Sequence, residues 1–192
     1  MQSDAIEVTG DMEFTDEHKK YFSYLLDKMI PKLREANNPK LEQALDNLEY
    51  NTKKVQDGTI EVATYVQWTK FDCYSIVEAA PDDLEGLDFI KEVMGTINEF
   101  FGIQLEEADV DAILKEKAEG KNLDWDKSIV DLLKLLEKDS SLSARKKYAL
   151  ALGYPEEEIG KAGSAEFNIW LHGRIKSELS FNEGNWPATL DA

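Results

Sequence analysis

The chain is poor in the residues that most often carry chemistry. Its 192 residues include one cysteine, Cys73, and two histidines, His18 and His172. A single thiol excludes an intramolecular disulfide and suits a reducing compartment. Three soft ligands far apart in sequence exclude the usual zinc patterns. Cations are also scarce: 22 Lys and Arg stand against 39 Asp and Glu, a formal net charge of −17. Phosphate backbones and anionic membrane surfaces both require clustered Lys and Arg, so direct nucleic-acid binding and membrane attachment are not expected. No apolar run approaches the roughly 20 residues of a membrane span. The opening MQSDAIEVTG has neither a basic start nor an apolar stretch, so it does not read as a secretory signal. These absences point to a soluble cytoplasmic protein.

Glycine is present but not in catalytic patterns. GxGxxG and GxSxG do not occur, and no DxDxDG calcium loop is found. The nearest approach to a phosphate loop places six residues, rather than four, between Gly153 and Gly160, and lies between helical patterns. No catalytic residue, metal site or cofactor is assigned on these grounds, and the chain leans away from being an enzyme.

The apolar residues recur at helical spacing. Thr15 is a plausible N-cap for a helix carrying Tyr21, Phe22, Leu25, Met29 and Leu33, which Pro31 should kink or end near Ile30. Asn38-Pro39 starts a second helix, closed by Asp57-Gly58. Residues 59–69 fit strand alternation nearly as well as a helix, and the length of the apolar stretch favours helix. Pro81 and the acids after it start another, with a regular stripe of Leu87, Ile90, Met94, Ile97 and Phe101. Further helices are expected from about Glu106 to Ala118, from an Asp124 cap to Glu137, from Ser140 or Ser141 to Gly153, and from Ser164 through Leu179. The fold class is therefore all-α, a compact bundle of about eight helices forming one core or two packed helical subdomains. The expected organisation is an acidic tail over residues 1–13, an acidic helical domain over 14–104 and a second helical domain over 105–192.

Acid is concentrated before that boundary. Residues 1–104 carry 21 acidic and 10 basic side chains, whereas 105–192 carry 18 and 12. The acidic run Asp72, Glu78, Asp82, Asp83, Glu85, Asp88 and Glu92 holds one cation, Lys91. It reads either as a solvated face or as a contact surface for a basic protein partner, whose approach an acidic field accelerates. In the C-terminal half, Asn168 and His172 are four residues apart on one helix face, with Trp170 between them. That set forms a candidate ligand face, or His172 is a hydrogen-bonded residue that locks the last helix in place.

Two stretches have wording beyond a helical pattern. Residues 128–154 and 164–172 resemble a bacterial domain-of-unknown-function family with the pattern SIVDLxKLLxxDSSLxxR, then LGY, then NxWLH. Trp125, Ser128, Asp131, Lys134, Asp139, Ser140, Ser141, Arg145, Gly153, Tyr154, Asn168, Trp170 and His172 carry the match. The resemblance covers about residues 105–190 and departs at Tyr148, in the acidic linker 155–162 and at Gly173. It implies a small helical domain, in some members attached to peptidoglycan-binding modules, and no established reaction. The matched residues read as caps and corners, with Asp131 and Arg145 placed to form an ion pair. The favoured function is a non-enzymatic, inhibitor-like or immunity-like protein that neutralises or scaffolds a basic partner. The alternatives are a small ligand-binding or hydrolytic domain using the Asn168, Trp170 and His172 face on cell-wall material, and an oligomerisation module pairing through the Leu87 to Phe101 stripe.

Overall fold

The computed structural model describes residues 13–103 and 107–191; most of the expected acidic tail, and Glu106 at the expected start of a helix, lie outside them. Among the described residues there are nine α-helices and no strand, so the fold is all-α. The chain divides into two units, Met1–Gln104 and Leu105–Ala192.

The N-terminal unit opens on a reciprocal cap. Thr15 Oγ1 accepts the His18 N–H, and His18 Nδ1 accepts the Thr15 N–H, each at 3.2 Å. Asp16 and Glu17 occupy the first turn of α1 (Asp16–Tyr24), where carboxylates complement the helix dipole. Pro31 neither ends nor sharply interrupts the helical path. A π-helical turn at Leu25–Met29 precedes α2 (Ile30–Arg34), and the chain stays helical through both. Proline removes one N–H and crowds the carbonyl four residues back; the wider turn moves that carbonyl aside, which is why the helix survives.

Helix α3 (Pro39–Gln56) starts as expected, with Asn38 Oδ1 accepting the Lys40 N–H at 3.0 Å and Pro39 in the first turn. The ambiguous stretch is helix α4 (Val62–Ala79). Its buried residues Val62, Tyr65, Val66, Trp68, Thr69, Asp72, Cys73 and Ile76 recur at helical spacing. The strand-like alternation arises because α4 packs on both α3 and α5 (Leu87–Phe100), so apolar residues are needed on two sides. Helix α5 begins at Leu87, not directly after Pro81. Residues 81–85 form successive turns, and Gly86, at φ +94°, sets the entry to the helix. An added Cβ there would come within 2.6 Å of Met29 Sδ. Leu87, Ile90, Ile97 and Phe101 are buried within this unit and Met94 is half-buried, so most of the stripe proposed for pairing between chains is already covered.

The C-terminal unit comprises α6 (Val110–Lys117), α7 (Ile129–Leu135), α8 (Leu142–Ala151) and α9 (Ala165–Phe181). α9 packs against each of the other three. Helix α6 begins at Val110 behind an Asp109 cap. α7 is shorter than the pattern suggested: Ser128, not Asp124, caps it by accepting the Asp131 N–H at 3.2 Å. Asp124 instead anchors the preceding turn, its N–H donating to Asp131 Oδ2 at 3.0 Å. Glu137, at φ +58°, ends α7 in the left-handed conformation usually left to glycine or asparagine. Ser141 and Ser164 cap α8 and α9 through their hydroxyls.

Candidate functional site

The candidate ligand face on α9 is built into the fold. Asn168 Oδ1 accepts a hydrogen bond from the Arg145 guanidinium on α8, and Asn168 Nδ2 donates to the Gly163 carbonyl at 3.4 Å. Arg145 also donates from Nε to the Ser140 carbonyl at 3.2 Å. The expected Asp131–Arg145 ion pair is therefore replaced: Arg145 braces the α8–α9 corner, while Asp131 serves Asp124 and Lys134. Trp170 points inward, 5% exposed, with its ring 4.9 Å from that of Tyr154. His172 Nε2 lies 2.7 Å from the Trp125 carbonyl. A carbonyl can only accept, so Nε2 carries the proton. Burial lowers the His172 pKa below its ordinary value of 6.5, outweighing the Trp125 bond that would raise it, and the ring is neutral at pH 7.

Sequence reasoning missed Arg174. It is fully buried on α9, one turn beyond Trp170, with its guanidinium 5.3 Å from that ring's centroid. Glu178, four residues further on, is 8% exposed. The signal was available: positions 167, 170, 171, 174, 175 and 178 trace one continuous helix face.

In the N-terminal unit, the acidic set divides. Asp72 is fully buried and within 3.4 Å of Asn51 Nδ2, so it leaves the contact surface proposed for a partner. Its burial follows from the same stepping along α4 that buries Thr69, Cys73 and Ile76. Glu78, Asp82, Asp83, Glu85, Asp88 and Glu92 are exposed. Lys32 meets Glu35 at 3.0 Å and Glu85 at 3.2 Å. Elsewhere in this unit carboxylates are engaged internally. Arg34 reaches Asp46 at 2.7 Å and Glu49 at 2.6 Å. Burial would raise the Glu49 pKa, but hydrogen bonds from Lys53 and Arg34 outweigh it and hold the carboxyl below its ordinary range.

The buried nucleophiles of this unit are inert. Cys73 is fully buried, and burial, then the Asp72 charge, pushes its thiol far above the range where a thiolate forms. Tyr65 is pushed up to about 12 by burial, although Thr52 and Tyr21 hydrogen bonds work the other way. His18, 5% exposed, donates from Nε2 to the Phe100 carbonyl at 2.9 Å and stacks on Phe101 at 4.6 Å. Among the described residues, no group of three or more His, Cys, Asp or Glu is arranged to hold a metal ion. No helix among them is long and apolar enough to cross a membrane.

This unit also has an open cavity of about 510 Å³ between α1 and α5. Tyr21, Tyr24, Phe89, Val93, Ile97 and Phe100 supply its apolar lining, and Glu17, Lys20 and Glu92 its charged lining. In the C-terminal unit a smaller, more polar cavity of about 290 Å³ is bordered by Asp139, Lys147, Tyr148 and Asp191.

Residues 97–187 match the family model of a domain of unknown function (DUF3597), so the C-terminal half carries such a domain. The match takes in the end of α5 and all of α6 to α9. No curated protein and no solved structure matches the chain.

Proposed function

We propose that this protein, whose C-terminal half carries a domain of unknown function, is a non-enzymatic binding protein. In this reading its N-terminal unit engages a basic protein partner and neutralises or scaffolds it, as an inhibitor or immunity protein would. The observation that carries it is the exposed set Glu78, Asp82, Asp83, Glu85, Asp88 and Glu92. These six carboxylates lie in fifteen consecutive positions with Lys91 as the only cation in the run. Within the set Glu85 is met by Lys32 at 3.2 Å, and the Arg34 clamp on Asp46 and Glu49 offers a fuller contrast, because there both acids are matched within the fold. A concentrated field of one sign raises the association rate of an oppositely charged partner and penalises like-charged ones.

The test uses a charge-neutralised variant, Asp82→Asn, Asp83→Asn, Glu85→Gln and Glu92→Gln, in the full chain. Pull-down from the native host should recover one stoichiometric partner with wild type, release it at high salt, and recover at least about tenfold less with the variant. Equal recovery by the two proteins, or recovery unaffected by salt, would sink the reading.

A further inference from the structure

We infer that the partner's seat is the groove between α1 and α5, and that it takes an amphipathic helix with an apolar face and a basic flank. This rests on the basic-partner reading above and adds where contact is made and by what kind of element.

Unburied aromatic surface lies on the groove side of α5. The opposite side of α5 is covered within the unit, with Leu87, Ile90 and Phe101 each at 2% exposure or less. On the groove side Phe100 is 36% exposed and Tyr24, across on α1, is 46% exposed. Across the groove the Tyr24 and Phe89 rings meet at 5.0 Å and the Tyr21 and Phe100 rings at 5.3 Å. Phe89 and Phe100 are eleven residues apart on α5, about 16 Å along the helix axis. That is about three turns, long enough for a docked helix whose apolar side chains at positions i, i+3 or i+4, and i+7 span about two.

The charged part decides the occupant. Asp88, Glu92 and Glu99 are exposed and spaced by four and seven, so they form one ridge of α5, and Glu92 itself lines the groove. Glu17 adds a carboxylate from α1, and among the described residues Lys20 is the one cation lining the cavity. A helix with Lys or Arg beside its apolar face would lay that flank along the α5 ridge, with an acidic residue meeting Lys20. A second copy of this chain is a poor occupant, because it would bring another net charge of −17 against the ridge. Nucleic acid fails for the same reason.

The probe is a synthetic Leu/Lys peptide as long as α5, with leucines at helical spacing, added to isotope-labelled full-length protein. A scrambled peptide of equal charge that cannot form an apolar face is the control. We expect amide shift changes concentrated at residues 17–24 and 89–100, and clearly weaker binding of the scrambled peptide. Thr96→Trp, which fills the groove from an exposed position, and Tyr24→Ala should each weaken the amphipathic peptide by about tenfold or more, with unchanged circular dichroism. Shift changes elsewhere, or groove variants that bind like wild type, overturn the inference. If both peptides bind equally and only the Asp82, Asp83, Glu85 and Glu92 variant weakens them, the groove falls while the basic-partner reading stands. If no cationic peptide binds at low salt, both fall. If the groove variants matter but Asp88→Asn with Glu92→Gln does not, the basic flank is wrong.

Discussion

His18 and His172 sit in different units and do the same work. Each donates from Nε2 to a backbone carbonyl far along the chain, Phe100 at 82 residues' separation and Trp125 at 47. For His172 this has two measurable consequences. His172→Ala leaves the Trp125 carbonyl without its donor, a loss of about 1–3 kcal/mol, which at this unit's size lowers its melting temperature by several degrees. His172→Gln, which can present a nitrogen donor at a similar reach, should recover part of it. The second consequence is pH dependence. Because the folded pKa lies below 6.5, the unfolded chain takes up its proton first as pH falls. The stability contributed by the neutral ring is present above about pH 6.5, declines below it, and levels off beneath the lowered folded value. Melting temperatures measured between about pH 7.5 and pH 5 should therefore fall more steeply for wild type than for His172→Gln. Parallel slopes would contradict the assignment. Residue type and spacing made the structural reading of His172 available, but not its partner: Trp125 is reached through the turn that Asp124 anchors.

Helix boundaries were legible wherever a local cap decides them. Asn38, Ser141 and Ser164 each close a hydrogen bond within three residues, and such bonds depend on sequence neighbours alone. Boundaries shifted where an early acid or proline resembled a start. Pro81 and Asp124 both head turns that precede the true helix, and Gly86 and Ser128 decide the entry. Glycine substitutions separate local strain from packing. Gly58, at φ +78°, has nothing within 4 Å of an added Cβ, so Gly58→Ala should cost about 1–2 kcal/mol from backbone conformation alone. Gly86→Ala adds a steric demand on Met29, which is itself 7% exposed, and should lose clearly more. Equal losses in chemical denaturation would mean that Met29 swings aside freely.

For the whole molecule, the division at Gln104 and Leu105 implies that the C-terminal unit holds its own core. Expressed alone, residues 105–192 should show helical circular dichroism and cooperative thermal unfolding that His172→Ala weakens. A fragment that is unfolded, or indifferent to that substitution, would show that the unit depends on the rest of the chain. The all-α class, most helix starts and the acidic imbalance could be read without coordinates, because helical period, capping and charge are properties of neighbouring residues or of composition. Which acids face water could not. Asp72 and Glu78 belong to one acidic run, yet one is fully buried and the other exposed. Arg174 is a charged residue enclosed by its unit, and the α1–α5 groove exists only because two helices distant in sequence meet there. Burial, hydrogen-bond partners and open surface depend on contacts between distant segments, and those contacts arise only when the helices pack.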